Sequence, residues 1–216
     1  LPRRPTLARP LGRLRFRRFA QHGPVRISPD LRYFTHDDGA PFFWLADTAW
    51  NGALKSTDAD WAAYIQERAA QKFTAVQFVT TQWRAAPDGN LAHQPAFTGT
   101  NPITVDPKFF AQLDAKIEAL NKGGLLAVPV MLWAINGGSN PSVNPGVSLP
   151  EEQAILLGCY MVARWQANAV AWILAGDADY RGEMAARWNR IGRGICGGIK
   201  HAPVTRHPGG EQGVWS

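Results

Sequence analysis

Two carboxylates stand where this sequence could do chemistry. Asp47 follows an apolar run in Trp44-Leu45-Ala46-Asp47-Thr48-Ala49-Trp50, and Asp177 follows another in Trp172-Ile173-Leu174-Ala175-Gly176-Asp177. If both runs are parallel strands of one barrel, both acids project into the same mouth at the carboxyl ends of the strands. Paired carboxylates in such a mouth suit glycoside hydrolysis. One protonates the departing oxygen while the other stabilises or attacks the anomeric carbon. A plainer reading stands beside it, in which Asp47 caps the next turn and Asp177 is a loop acid. Spacing alone does not choose between them. The remaining acids are placed less well: Glu67 and Glu118 lie within predicted helices, and Glu151 and Glu152 suit a helix N-terminus.

Nine tryptophans are the oddity of the composition. Trp44, Trp50, Trp83 and Trp133 fall at or beyond predicted strand ends, where an indole face can pack on sugar C–H groups and its N–H can meet a hydroxyl. Trp61, Trp165 and Trp188 sit at helical spacing and read as core. Gln77 is a candidate for hydrogen bonding to sugar hydroxyls, although amides in loops often serve turns instead. His207 flanks the last predicted strand and faces the mouth, as a ligand-binding or a structural histidine.

Several chemistries find no support. No serine lies in a G-x-S-x-G elbow. No histidine or cysteine cluster has metal-ligand spacing, so neither a metal nor another cofactor is expected. The two cysteines, Cys159 and Cys196, are too few for a disulfide framework. No apolar run approaches the ~18 residues that cross a bilayer. The net charge of +6 is local, because residues 1–22 hold seven arginines and no acid. Without them the chain carries 16 basic against 17 acidic side chains. Residues 1–22 therefore read as a basic leader or tail, and 23–216 as the folded body. A near-neutral body argues against nucleic acid as the partner, and the leader has no compact apolar segment of a complete signal peptide.

The elements must place these residues. Val25–Ser28 and Tyr33–His36 predict a small hairpin around Pro29-Asp30. Phe42–Ala46 reads as the first buried strand. Thr57-Asp58 caps a helix to about Gln71, and Phe73–Val79 is a second strand. A long loop, 80–105, leads to a helix opened by Asp106-Pro107 and stopped by Gly123-Gly124. Leu125–Leu132 is a third strand, followed by a loop over 133–149 rich in Asn, Gly, Ser and Pro. A helix from Pro150, a fourth strand over Val170–Leu174, a helix from Gly182 and a fifth strand over His201–Thr205 complete the series. Strands apolar on both sides, long loops after strands and short ones after helices describe an α/β fold of the (β/α)8 TIM-barrel type. Only about the first four and a half βα units fit into this chain, preceded by the hairpin. A doubly wound dinucleotide fold would carry G-x-G-x-x-G after its first strand, and none follows here.

One stretch of the sequence is more specific than its periodicity. Gly23-Pro24-Val25-Arg26-Ile27-Ser28, Arg32-Tyr33-Phe34 and Gly39-Ala40-Pro41-Phe42-Phe43-Trp44-Leu45-Ala46-Asp47-Thr48-Ala49-Trp50 resemble the opening of the apiosidase-like glycoside hydrolases. Residues 68–77, Asn101-Pro102, 172–177 and 201–209 resemble that family's later blocks, with Ala46 and Ala175 where glycine is common. The resemblance covers about residues 23–216. It implies a (β/α)8 barrel that acts on plant-type polysaccharide or oligosaccharide side chains without a metal, in a secreted or periplasmic protein. It also implies that Asp177 is the general acid/base, and that the nucleophile is a glutamate expected beyond residue 216. Asp47 would then be a sugar-binding or supporting carboxylate. A carbohydrate-binding protein that uses the same mouth without hydrolysis is the alternative.

Overall fold

The structure is a computed structural model that describes residues 22–137 and 140–210. The seven arginines expected in a leader, and Glu211 near the end of the chain, lie outside the described residues. His22 is the one described residue of that leader, and its Nδ1 lies 2.6 Å from Asp38.

The chain opens with three short strands, β1 (Val25–Ile27), β2 (Phe34–His36) and β3 (Pro41–Phe42), joined as an antiparallel sheet in chain order. Ser28 shapes the first turn, because its Oγ accepts from the Tyr33 amide at 3.1 Å and donates to Asp30 at 2.6 Å. The hairpin was expected, but its third strand was not. Phe42 pairs with Phe34 across β2–β3 and is buried there. It therefore does not begin the first barrel strand. That strand is β4 (Ala46–Thr48), four residues later. Between the two, Thr74 Oγ1 accepts from the Leu45 amide and donates to the Phe43 carbonyl, turning the chain from one sheet to the other.

From β4 the chain alternates. Helices α1 (Gly52–Lys55) and α2 (Asp58–Ala70) lead to β5 (Ala75–Val79). A ribbon of β6 (Phe97–Thr98) and β7 (Thr104–Val105) occupies the long loop before α3 (Pro107–Lys122) and β8 (Leu126–Trp133). A 3-10 turn (Pro141–Val143) and the short α4 (Pro145–Ser148) precede α5 (Glu151–Trp165), then come β9 (Trp172–Ala178), α6 (Gly182–Cys196) and β10 (Val204–Pro208). The helix starts follow their sequence signals. Thr57 and Asp60 form a reciprocal capping box, and Asp106 accepts from the Lys108 amide ahead of Pro107.

Strands β4, β5, β8, β9 and β10 form one parallel sheet in chain order. Winding without reversal is what a barrel requires, whereas a doubly wound sheet changes direction at a switch point. The result is a half-barrel with helices outside. Every residue of β8 is buried, as a strand flanked by two others and covered on its outer face must be. The core continues outward through Trp61, Phe109, Phe110, Ile117, Leu157, Trp165, Trp172 and Trp188, all at most 2% exposed. Each such side chain contributes roughly 1.5–3 kcal/mol by leaving water.

Candidate active site

Each of the five parallel strands delivers one residue to the mouth: Trp50 beyond β4, Trp83 beyond β5, Trp133 at the end of β8, Asp177 in β9 and His207 in β10. Their rings form a connected group. Trp133 lies 4.5 Å from Trp83 and 5.2 Å from Trp50, centroid to centroid. The His207 imidazole stands at 90° to Trp50 at 5.3 Å and 6.2 Å from Trp133. The glycine before the acid is required by this packing, since a Cβ on Gly176 would lie 2.4 Å from Trp133 Cε3.

Asp177 is 18% exposed in its side chain, and Oδ1 lies 3.3 Å from His207 Nδ1. The backbone N–H of Asp177 donates to the same Nδ1 at 3.4 Å. The residue has φ +49, the left-handed region that a non-glycine residue enters at a cost of about 1–3 kcal/mol. Strand β10 shifts register on both sides of His207, and such irregularities re-aim a side chain.

The tryptophans expected to form platforms divide. Trp50 is half-buried in the mouth. Trp83 and Trp133 reach it but are 4% and 2% exposed. Trp83 Nε1 donates to Asn51 Oδ1 at 2.6 Å, whereas Trp133 Nε1 is a buried donor without an acceptor among the described residues. Trp44 is not in the mouth. It packs on Phe34 and Phe42 at the opposite, amino end of the sheet, beside Ala171, Pro203 and Val204 around a cavity of about 260 Å³. Gln77 is paired with Thr48 and Val128 on the concave side of the sheet, half-buried and deeper than the mouth.

Asp47 also departs from expectation. It lies inside β4 in register with Val76, and through it with Ala127 near the start of β8. Gly176, the neighbour of Asp177, is in register with Trp133 at the other end of β8. The two carboxylates therefore do not share a mouth. Asp47 faces outward to α2, where Arg68 Nε and the Tyr64 hydroxyl, at 2.8 Å, donate to Oδ2, and the Thr48 amide donates to Oδ1 at 2.7 Å. Burial opposes its charge, but the Arg68, Tyr64 and Thr48 donors outweigh burial and hold the carboxyl below its ordinary value. Burial and the Asp47 carboxylate together push the Tyr64 phenol well up. These contacts tie strand β4 to helix α2.

Two residues at the mouth carried no sequence signal. Asn51 holds Trp83 and also donates to the Ala85 carbonyl at 3.2 Å. Tyr180 hydrogen-bonds the Ala175 carbonyl at 2.9 Å behind Asp177, with Arg206 over its ring at 5.3 Å. A larger cleft, about 650 Å³, lies on the outer flank between α1 and α3, lined by Leu54, Asn90, Leu91, Phe109 and Lys116. None of the five mouth residues lines it, and Lys116, its buried cation, is held by Ser56, Thr57 and Asp58. Among the described residues no three His, Cys, Asp or Glu side chains are grouped to hold a metal, and no helix is long and apolar enough to cross a membrane.

Comparison with known proteins follows the same lines. The family model described as "Apiosidase-like, catalytic domain" matches residues 28–216. Comparison with curated proteins gave no match. Among solved structures, one described only as a glycoside hydrolase superposes with a TM-score of 0.73 at 20% identity, over 90% of this chain and 43% of its own. A glycoside hydrolase family 5 protein from Bacteroides vulgatus gives 0.74 at 19% identity, over 94% and 43%. An endo-1,4-beta-mannanase from Rhizomucor miehei gives 0.61 at 12% identity, over 86% and 61%. The chain thus spans less than half the length of the first two.

Proposed function

Since this chain belongs to the apiosidase-like catalytic-domain family, we propose that it forms part of a glycoside hydrolase and carries the acid/base half of a two-carboxylate site. In this reading Asp177 protonates the departing glycosidic oxygen and then takes a proton from the attacking water. In this reading the second carboxylate is not among the described residues of the mouth. The observation that carries the reading is the convergence of one residue from each parallel strand on a single mouth, with Asp177 the one carboxylate among them. Trp50, the least enclosed of the three rings there, supplies the stacking face for a sugar. Plant-type polysaccharide or oligosaccharide side chains are the proposed substrate class, by family membership.

The test is Asp177→Asn in the whole protein, which keeps the shape and removes the proton. Loss of general-acid help costs about 10²–10⁴-fold in rate. The loss should be large for poor leaving groups and small for aryl glycosides, whose phenolate departs with little protonation. Equal slowing of good and poor leaving groups would show that Asp177 is not the acid. Wild-type protein that binds oligosaccharide tightly without turnover would favour a binding role.

A further inference from the structure

We propose that His207 is a positioning residue for Asp177, its Nδ1 accepting the Asp177 backbone N–H and so holding the left-handed turn that aims the carboxyl into the mouth. The kinetic part of this inference rests on the acid/base reading of Asp177; the structural part does not.

Three observations converge on it. First, Asp177 occupies a backbone conformation that an L-residue holds only when its surroundings over-determine it. The contact that Asp177 N–H makes is with His207 Nδ1, at 3.4 Å. That is long for a hydrogen bond, as such contacts often are before substrate tightens a site. Second, β10 breaks register immediately before and after His207, and the break is what turns this imidazole toward Asp177. Third, the ring is clamped, edge to face against Trp50 at 5.3 Å and tilted against Trp133 at 6.2 Å. A side chain held by two indoles and a backbone amide is built for fixed geometry.

Nδ1 also lies 3.3 Å from Asp177 Oδ1, and the two contacts demand opposite tautomers. Accepting from the amide requires a bare Nδ1 with the proton on Nε2, whereas donating to the carboxylate would require Nδ1–H. The alternative role for His207 is direct contact with substrate through Nε2. The two roles make opposite demands on substitution. Asn places its amide oxygen where Nδ1 was and can still accept from Asp177 N–H. Gln places its amide where Nε2 was and can still reach a substrate.

The experiment combines a spectrum with a variant pair. Whole protein labelled with ¹⁵N-histidine is examined at about pH 8.5, where an ordinary imidazole is neutral, by long-range ¹⁵N–¹H correlation. The expected pattern for His207 is protonated Nε2 and bare Nδ1; a protonated Nδ1 overturns the proposal without any variant. In turnover, His207→Gln should lower kcat about tenfold, the worth of one hydrogen bond, with KM unchanged, and His207→Asn should restore most of it. A raised KM that Gln rescues and Asn does not would assign His207 to the substrate instead. If Asp177→Asn leaves turnover intact, the acid/base reading fails by itself, and the spectrum still decides the His207 contact.

Discussion

Asp47 and Asp177 show how far the same residue type is divided by its surroundings. Asp177 stands at the mouth with its carboxylate beside an imidazole, whereas Asp47 is spent on Arg68, Tyr64 and the Thr48 amide. The Asp47 tie belongs to stability, and its pH dependence has a definite sign. Its carboxyl is held below the ordinary value of about 3.9 by the Arg68, Tyr64 and Thr48 donors. The stabilisation is therefore fully present above that ordinary value and is lost as pH falls through the lower folded one. Asp47→Asn should cost about 1.5–3 kcal/mol at neutral pH, the range for hydrogen bonds to a charged group. The cost should shrink in acid, where the wild type loses the same interaction. Thermal unfolding at neutral and acid pH measures both, and turnover by the variant at a permissive temperature should keep its normal dependence on leaving group. A variant with normal stability but weakened sugar binding would return Asp47 to the site.

At the scale of elements, the mouth is assembled by where strands stop and by what lies beneath their last residues. Strand β9 runs to Ala178, past the acid, so Asp177 is presented by the sheet and not by a free loop. Its neighbour Gly176 lies under the Trp133 indole, with no room for a Cβ. Gly176→Ala should push the ring toward Trp50 and Trp83 and cost about 1–3 kcal/mol, the usual price of overpacking. Because those rings line the mouth, the variant should lose turnover beyond what its stability loss explains. Near-ultraviolet circular dichroism, dominated by tryptophan packing, should change while the far-ultraviolet spectrum holds. An unchanged near-ultraviolet spectrum would show that the Trp cluster is looser than described.

Over the whole molecule, the sheet has two open edges among the described residues. Strands β4 and β10 each pair on one side among the described residues, and an unpaired parallel edge is a template for further pairing. At the amino end, Ile27, Leu31, Tyr33 and Phe43 are 51–79% exposed, more apolar surface than a closed barrel floor would leave to water. The 216-residue chain, expressed alone, should therefore self-associate and show no glycosidase turnover, as light scattering and an oligosaccharide assay would record. A monodisperse monomer with turnover of its own would overturn the two-carboxylate division proposed above.

The half-barrel was legible because its signals are local. Capping at Thr57 and Asp106, the glycine stop at 123–124 and runs buried on both sides depend on short-range sterics and on burial, which the order of residues carries directly. The resemblance of residues 23–50 to the apiosidase-like family was legible for the same reason, and the family model bears it out. What the order of residues could not carry was register. The run from Phe42 to Ala46 is apolar throughout, so nothing in it marks that Phe42 belongs to the small sheet and that the barrel strand begins only at Ala46. That shift of four residues moved Asp47 from a strand end into a strand and left Trp44 at the floor of the sheet instead of its mouth. The Asp177–His207 contact likewise joins residues 30 positions apart through strand pairing and a break in register. Tertiary structure decided these points because parallel pairing compares distant segments, and a shift along a strand changes which face and which end a side chain meets.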